Sequence, residues 1–183
     1  MRNLFAKLNE ILANGNDTVF VSIVTSTNSN LYGSNAHMIV TAKGCVYGTI
    51  GGGAIERKSE HIALDILRNR CSCIEHIGLN VDDINELGLT NDVTATVFFH
   101  FIPGNSHRGI GLAKQIEKLY EQGEEAWLIC EMTSGSAGMM SVYGKESGIF
   151  GDHVPQEVIE KLGSNSMKIT VSGGTYYCEQ LKH

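Results

Sequence analysis

Residues 48–56 read Gly-Thr-Ile-Gly-Gly-Gly-Ala-Ile-Glu, and the rest of the chain is organised around them. Apolar, β-branched runs at 38–41 and 45–47 precede this stretch, and a helical pattern follows it at 56–70. A strand followed by a glycine turn and a helix can form an anion-binding site. Glycine lets the backbone come close to the ligand, and the first N–H groups of the helix point towards the ligand. A tight turn that needs glycines only for its shape would give the same pattern. The stretch alone leaves both interpretations open.

The same order of elements occurs twice along the chain. A helical run, three β-rich runs, a second helical run and two more β-rich runs fill residues 4–102, and a similar series fills 112–181. Positions 108 apart correspond, so that Leu4, Leu8, Ile11, Leu12 and Gly15 match Leu112, Ile116, Leu119, Tyr120 and Gly123. We therefore predict an α/β fold, a mixed β-sheet domain made of two tandem α-β-β-β-α-β-β repeats. The prediction is a single domain over 1–183, with repeat one at 1–103, repeat two at 104–183 and no Rossmann domain.

The two repeats differ at the glycine turn. Repeat two reads Gly-Asp-His-Val-Pro at 151–155, where repeat one reads Gly-Gly-Gly-Ala-Ile at 51–55. The polar loop at 26–35 is also shortened to 133–138 in repeat two. If the fold alone demanded three glycines, repeat two would keep them. The candidate ligand site is therefore placed in repeat one.

Composition and charge exclude several classes of protein. The net charge is −6 without a basic cluster, which argues against nucleic-acid binding. No segment reaches the roughly 18 apolar residues of a membrane span, and the first residues do not resemble a signal peptide. Five cysteines without a disulfide-type spacing indicate a reducing compartment. We expect a cytoplasmic protein that does not bind membranes.

The stretches Gly33-x-x-Ala36-His37-Met38-Ile39-Val40 and 48–56, with Gly44 between them, resemble the amino-terminal domain of xanthine dehydrogenase accessory factors, the XdhC/CoxI family. The resemblance implies a chaperone for the molybdenum cofactor, molybdopterin. Such a protein holds the cofactor, supports its sulfuration and passes it to a xanthine dehydrogenase-type molybdenum hydroxylase. It implies two kinds of partner, the client hydroxylase and a separate chain that supplies the Rossmann domain of full-length relatives. We also expect a homo-oligomer, since a lone accessory domain can expose an apolar face.

The cofactor would bind where the loop at 25–33 faces the glycine turn at 51–56. The candidate binding residues are Thr25, Ser26, Gly33, Gly51, Gly52, Gly53 and Glu56. The glycines and the helix start suit a phosphate, and Glu56 could accept hydrogen bonds from the pterin. Glu56 could equally be a helix-start acid, and Thr25 and Ser26 could serve only their own turn.

The sequence departs from the family pattern in ways that keep other functions open. The Pro-Arg expected in the loop is missing at 29–32, and Asn91 occupies the position of a family cysteine. Asn is neither a nucleophile nor a soft ligand, so sulfur chemistry is not expected at that position. The alternative is a non-catalytic interaction or regulatory subunit that has lost cofactor binding. A weaker third possibility is a nucleotide-handling enzyme that uses the same turn.

Nothing in the sequence indicates catalysis by this chain. Nucleophile-elbow, P-loop and kinase motifs are absent, and the histidines lack zinc-ligand spacing. His37 leads towards the glycine turn, but a strand histidine is more often a packed residue. We therefore predict no catalytic residue and no metal ligand, and favour an accessory binding protein over an enzyme.

Overall fold

The computed structural model describes residues 1–26, 36–79, 94–133 and 140–182. These form two compact units, which we call the central unit, Asp17–Phe101, and the terminal unit, Met1–Asn16 with Ile102–His183. The helices are α1 (Arg2–Ala13), α2 (Gly53–Asn69), α3 (His107–Gln122) and α4 (Gln156–Ile159). The strands of the central unit are β1 (Thr18–Ser26), β2 (His37–Thr41), β3 (Gly44–Thr49), β4 (Cys73–Gly78) and β5 (Thr94–Ile102). Those of the terminal unit are β6 (Ala126–Glu131), β7 (Met140–Gly144), β8 (Gly148–Phe150), β9 (Met167–Val171) and β10 (Gly174–Gln180).

The predicted α/β class and the predicted element order of both repeats are confirmed. Each half contributes one five-stranded sheet, in the order β3-β2-β1-β5-β4 or β8-β7-β6-β10-β9. All the strand pairs whose register is described are antiparallel. The boundary between repeats at residue 103 stays a prediction about the sequence.

The core of the central unit lies between its sheet and α2. The first seven residues of β1 and all of β2 are buried, as expected for continuous β-branched runs. One face of the helix is buried, with Ala54, Ile55 and Ala63 among its buried residues, while Arg57 and Arg68 are exposed. Members of this core are Val19, Val21, Ile23, Met38, Val40, Ile50, Ala54, Ile55, Ala63, Ile66, Val97 and Phe99.

In the terminal unit, α1 and α3 contact each other along their lengths. Asn9 Nδ2 donates to Glu117 Oε1 at 3.2 Å. The Ser106 side chain caps α3 by accepting from Gly109 N at 3.0 Å, and Gly123 ends the helix in the left-handed conformation. The Gly123 glycine stop and the apolar spacing of α3 are features that the sequence predicts.

Two helix boundaries differ from the sequence-based expectation. Helix α2 begins at Gly53 instead of residue 56. Helix α4 covers four residues, although the apolar spacing over 154–162 predicts a longer helix. Pro155 has an extended ψ of 142° and disfavours a helical conformation for the residue before it, so the helix starts later. Among the helices of the described ranges, none has the length and apolar composition needed to cross a membrane.

Candidate functional site

The candidate site lies at one end of the strands of the central sheet. β1 and β2 pair antiparallel, as do β2 and β3, so the carboxyl ends of β1 and β3 lie at the same end of the sheet. The register places Ser22, His37 and Thr49 side by side across the three strands. Thr25 is exposed and Ser26 half-buried at the end of β1, and the glycine turn follows β3. Gly33 lies outside the described residues.

The backbone of the glycine turn requires glycine at three successive positions. The φ angles of Gly51, Gly52 and Gly53 are 114°, 73° and 65°. Gly52 combines φ 73° with ψ −172°, a region that only glycine occupies readily. The shape interpretation of the triple glycine is therefore supported directly, whether or not a ligand binds there.

The corresponding turn of the terminal unit has a different backbone. Gly151 keeps φ 118°, close to Gly51, but Asp152 and His153 are not among the described non-glycine residues with positive φ. Asp152 forms an ion pair with Arg108, and its N–H donates to Ser141 Oγ at 2.9 Å. The second turn therefore does not need the glycines that the first one needs.

The carboxylate of Glu56 lies against the glycine turn and accepts its hydrogen bonds. Oε2 accepts from Ile50 N at 3.0 Å, from Gly52 N at 3.0 Å and from the Thr49 hydroxyl. Thr49 Oγ1 in turn accepts from Gly51 N at 3.1 Å. Glu56 sits in the first turn of α2, where the helix dipole favours a negative charge. These contacts therefore support the interpretation of Glu56 as an acid at the start of the helix.

These contacts change what the turn can offer to a ligand. The N–H groups of Ile50 and Gly52 already have an anionic partner, so a phosphate in the same place would have to displace a carboxylate. The second carboxylate oxygen, Glu56 Oε1, makes no hydrogen bond in the described part of the chain. It can still accept from N–H donors of a ligand. The arrangement therefore favours Glu56 as an acceptor over the turn as a phosphate cradle.

Part of the chain is similar to a known protein family. Residues 11–78 match the XdhC and CoxI family. The match includes β1, β2, β3, the glycine turn and α2, and it confirms the resemblance that the sequence predicted.

The whole fold is also similar to a solved structure. A crystal structure described as a xanthine dehydrogenase from Bacillus halodurans matches with a TM-score of 0.67 and 17% sequence identity, over 96% of this chain and 52% of that chain. At this identity the likeness concerns the fold alone, and this chain spans about half the length of that protein. A search of curated proteins finds no match.

Within the XdhC/CoxI-like region, His37 is a packed residue. It is 5% exposed, its Nδ1 lies 2.8 Å from Ser22 Oγ, and its ring stacks on Phe20 with centroids 5.2 Å apart. A ring enclosed in this way is held by its neighbours. The packed interpretation of His37 is confirmed.

Cys45, on β3, is the thiol of this region that lies close to the site. Burial raises the pKa of Cys45, a backbone hydrogen bond with Tyr47 opposes the shift, and the nearby carboxylates of Glu56 and Glu60 add to it. A raised pKa keeps the sulfur protonated at neutral pH and lowers its reactivity. Cys45 therefore does not supply the thiolate that the sequence lacks at Asn91, a residue outside the described ranges.

Sequence reasoning missed Glu60. It lies one turn after Glu56 on α2, and its Oε1 accepts from Cys45 N at 2.8 Å. The four-residue spacing of the two glutamates is the signal that could have found it, because residues i and i+4 share one face of a helix.

Proposed function

We propose that this chain is an accessory protein that binds the molybdenum cofactor, molybdopterin, as a chaperone during maturation of a xanthine dehydrogenase-type molybdenum hydroxylase. The observation that carries the proposal is the XdhC and CoxI family match over 11–78, which includes the glycine turn and Glu56. The resemblance to accessory factors supplies the function, and the geometry supplies an acceptor suited to a pterin edge. The proposed role is binding, with no catalytic step assigned to this chain.

The residues at this end of the sheet offer an acceptor, backbone amides and hydroxyl groups to an anionic pterin. Glu56 Oε1 is an acceptor for pterin N–H groups, while Oε2 stays bound to the turn. The amides of Gly53 and Ala54 belong to the first turn of α2, which has no intrahelical acceptors for its N–H groups and can receive a phosphate oxygen. Thr25 and Ser26 end β1, which is separated from β3 by β2, and add hydroxyl groups at the same end of the sheet. The bound cofactor would bring the molybdenum chemistry, and this chain would hold and shield it.

Sulfur transfer is not part of the proposed role of this chain alone. The pKa of Cys45 is raised, and burial together with the charge of Glu75 raises the pKa of Cys73 to about 11. Neither is a ready nucleophile at neutral pH. We propose that sulfuration, where it occurs, uses a thiol from another protein.

The proposed partners are the client hydroxylase and a separate Rossmann-domain protein, in the cytoplasm, and the chain is proposed to form homo-oligomers. Four large apolar side chains stand exposed among the described residues, two in each unit, and they support association through an edge strand of either unit. They lie on the two edge strands β3 and β8 and are Val46, Tyr47, Ile149 and Phe150. Sedimentation of the purified chain at several concentrations tests the homo-oligomer.

The test of cofactor binding is anaerobic incubation of the protein with molybdopterin cofactor, followed by gel filtration and measurement of molybdenum and pterin in the protein fraction. The expected result is about one cofactor per chain, with ATP and GTP failing to compete. Retention of nucleotides in preference to the pterin would instead support the nucleotide-handling alternative.

A second candidate is a non-catalytic interaction or regulatory subunit that does not bind the cofactor. The contacts of Glu56 favour it, because the turn is already satisfied by its own carboxylate. Folded wild-type protein that retains no cofactor, but binds the client hydroxylase, would establish this candidate.

A further inference from the structure

Two carboxylates of α2 hold the two ends of β3. Glu60 Oε1 accepts from Cys45 N at 2.8 Å, at the start of the strand. Glu56 Oε2 accepts from Ile50 N at 3.0 Å, immediately after its end. The two glutamates are four residues apart and so project from the same side of the helix. One helix face thereby contacts both ends of the strand that leads into the glycine turn.

The pairing of β3 with β2 leaves this strand in need of such support. β3 is at the edge of the sheet, and its register shifts opposite Ile39 and Val40. Gly44 and Gly48 have φ angles of 94° and 79°, so the backbone departs from a regular strand near each end. An irregular edge strand is held by fewer backbone hydrogen bonds than a central one.

The contact at Glu60 is also sterically specific. A Cβ added to Gly44 would lie 2.5 Å from Glu60 Oε1. The glycine therefore leaves room for the carboxylate to approach the start of β3 closely.

We propose that Glu60 is a positioning residue for the glycine turn, acting through β3. By fixing the start of the strand to α2, it sets where the end of the strand places Ile50 and Gly52 against Glu56. The positioning role itself can be tested without cofactor. Only its expected effect on cofactor retention rests on the proposed function.

The terminal unit offers an internal comparison. There the turn between β7 and β8 is held by Glu124, which accepts from Glu146 N at 2.7 Å and from Ser147 N at 2.8 Å. Glu124 follows α3, whereas Glu60 belongs to the helix that comes after its own hairpin. The helix after the second hairpin, α4, has four residues, and no side chain of it contacts that hairpin by a described hydrogen bond. The double attachment occurs in the half that has the triple glycine.

The experiment is amide hydrogen exchange on the full chain, measured residue by residue for the wild type, E60M, E60Q and the control D65N. Met keeps an apolar stem but removes the acceptor, and Gln keeps a neutral acceptor. Asp65 is an exposed acid of the same helix whose partner is Arg68, so its replacement tests the effect of charge alone.

The expected result for E60M is exchange about tenfold faster at Cys45 and also at Ile50 and Gly52, with β1 and β5, which do not pair with β3, unchanged. E60Q should show the same pattern with a smaller increase, and D65N should lie within about twofold of wild type at these three amides. Faster exchange at Cys45 alone would overturn the proposal. So would a uniform increase over the central unit, since that reports a general loss of stability. If E60M does not fold, the pattern in E60Q decides between the same outcomes.

Cofactor retention forms a separate arm. If the wild type retains cofactor, E60M should retain less and E60Q should restore part of the loss. If the wild type retains none, the proposed function fails, while the exchange pattern still decides the role of Glu60.

Discussion

Replacing Glu56 with Ala should destabilise the central unit through the glycine turn. The substitution removes the acceptor of two backbone N–H groups, those of Ile50 and Gly52, and of the Thr49 hydroxyl. Ile50 is fully buried, so little water can replace its lost partner. Gly52 is half-buried with open space beside its Cα, so water can replace the carboxylate there.

The magnitude follows from these surroundings. A hydrogen bond to a charged group contributes about 1.5–3 kcal/mol, and we assign that range to Ile50 N–H alone, with the solvent-accessible Gly52 adding little. Loss of a negative charge at the helix start adds about 0.5 kcal/mol. We therefore expect E56A to lower the free energy of unfolding by about 2–3.5 kcal/mol, and E56Q by about half as much. For a chain of this size that corresponds to a decrease in Tm of roughly 4–14 °C for E56A.

The assay is denaturant unfolding followed by circular dichroism, with thermal melting on the same samples and D65N as the control. D65N should stay within about 0.5 kcal/mol of wild type, because Asp65 pairs with Arg68 on the surface. An E56A protein as stable as D65N would refute the reasoning, since it would mean that the turn does not depend on the carboxylate.

Three further predictions concern other groups. G52A should lower the free energy of unfolding by about 1–3 kcal/mol in urea, because φ 73° with ψ −172° strains any residue other than glycine, even though the added Cβ would meet no atom within 4 Å. The control G78A changes a glycine without a positive φ and should lower the free energy of unfolding by less. Cys73 has a pKa raised to about 11, so iodoacetamide should alkylate it slowly at pH 9. The free energy of unfolding should also fall as the pH rises from about 9 to 11, because in this range the thiol has lost its proton in the unfolded chain but keeps it in the folded one. Half-maximal alkylation of Cys73 near pH 9 would contradict this prediction. Burial opposes ionisation of Glu124, but hydrogen bonds from Ser147 and Glu146 outweigh burial and lower the pKa of the carboxyl group. At pH 7, E124A should therefore have a free energy of unfolding about 1.5–3 kcal/mol below that of wild type, and this difference should shrink as the pH falls below 4.5. A difference that stays constant with pH would show that these hydrogen bonds do not depend on the charge.

The architecture was largely accessible from the sequence because it depends on local patterns. Apolar spacing in α1 and α3, β-branched runs in β1 and β2, and the glycine that ends α3 each act over a few residues. Their repetition at a fixed distance then gave the element order of both halves. Where a local pattern was ambiguous, as around Pro155, the predicted helix was too long.

The candidate site was only partly accessible. The sequence located the glycine turn and Glu56, but it could not show that the carboxylate takes the N–H groups of Ile50 and Gly52, since that depends on how α2 lies against β3. It could not find the Glu60 contact for the same reason. From the sequence, the absence of the triple glycine from repeat two favours a ligand site in repeat one. The backbone angles show that the two turns differ in shape, which accounts for that difference without a ligand.

The most direct test of the central claim compares molybdopterin affinity for the wild type, E56Q and D65N under anaerobic conditions, by pterin fluorescence titration of protein verified as folded. If Glu56 Oε1 accepts hydrogen bonds from the pterin, E56Q should bind at least tenfold more weakly than wild type, and D65N should bind as the wild type does. Equal binding by wild type and E56Q would contradict the assigned site, and absence of binding by the wild type would contradict cofactor holding by this chain.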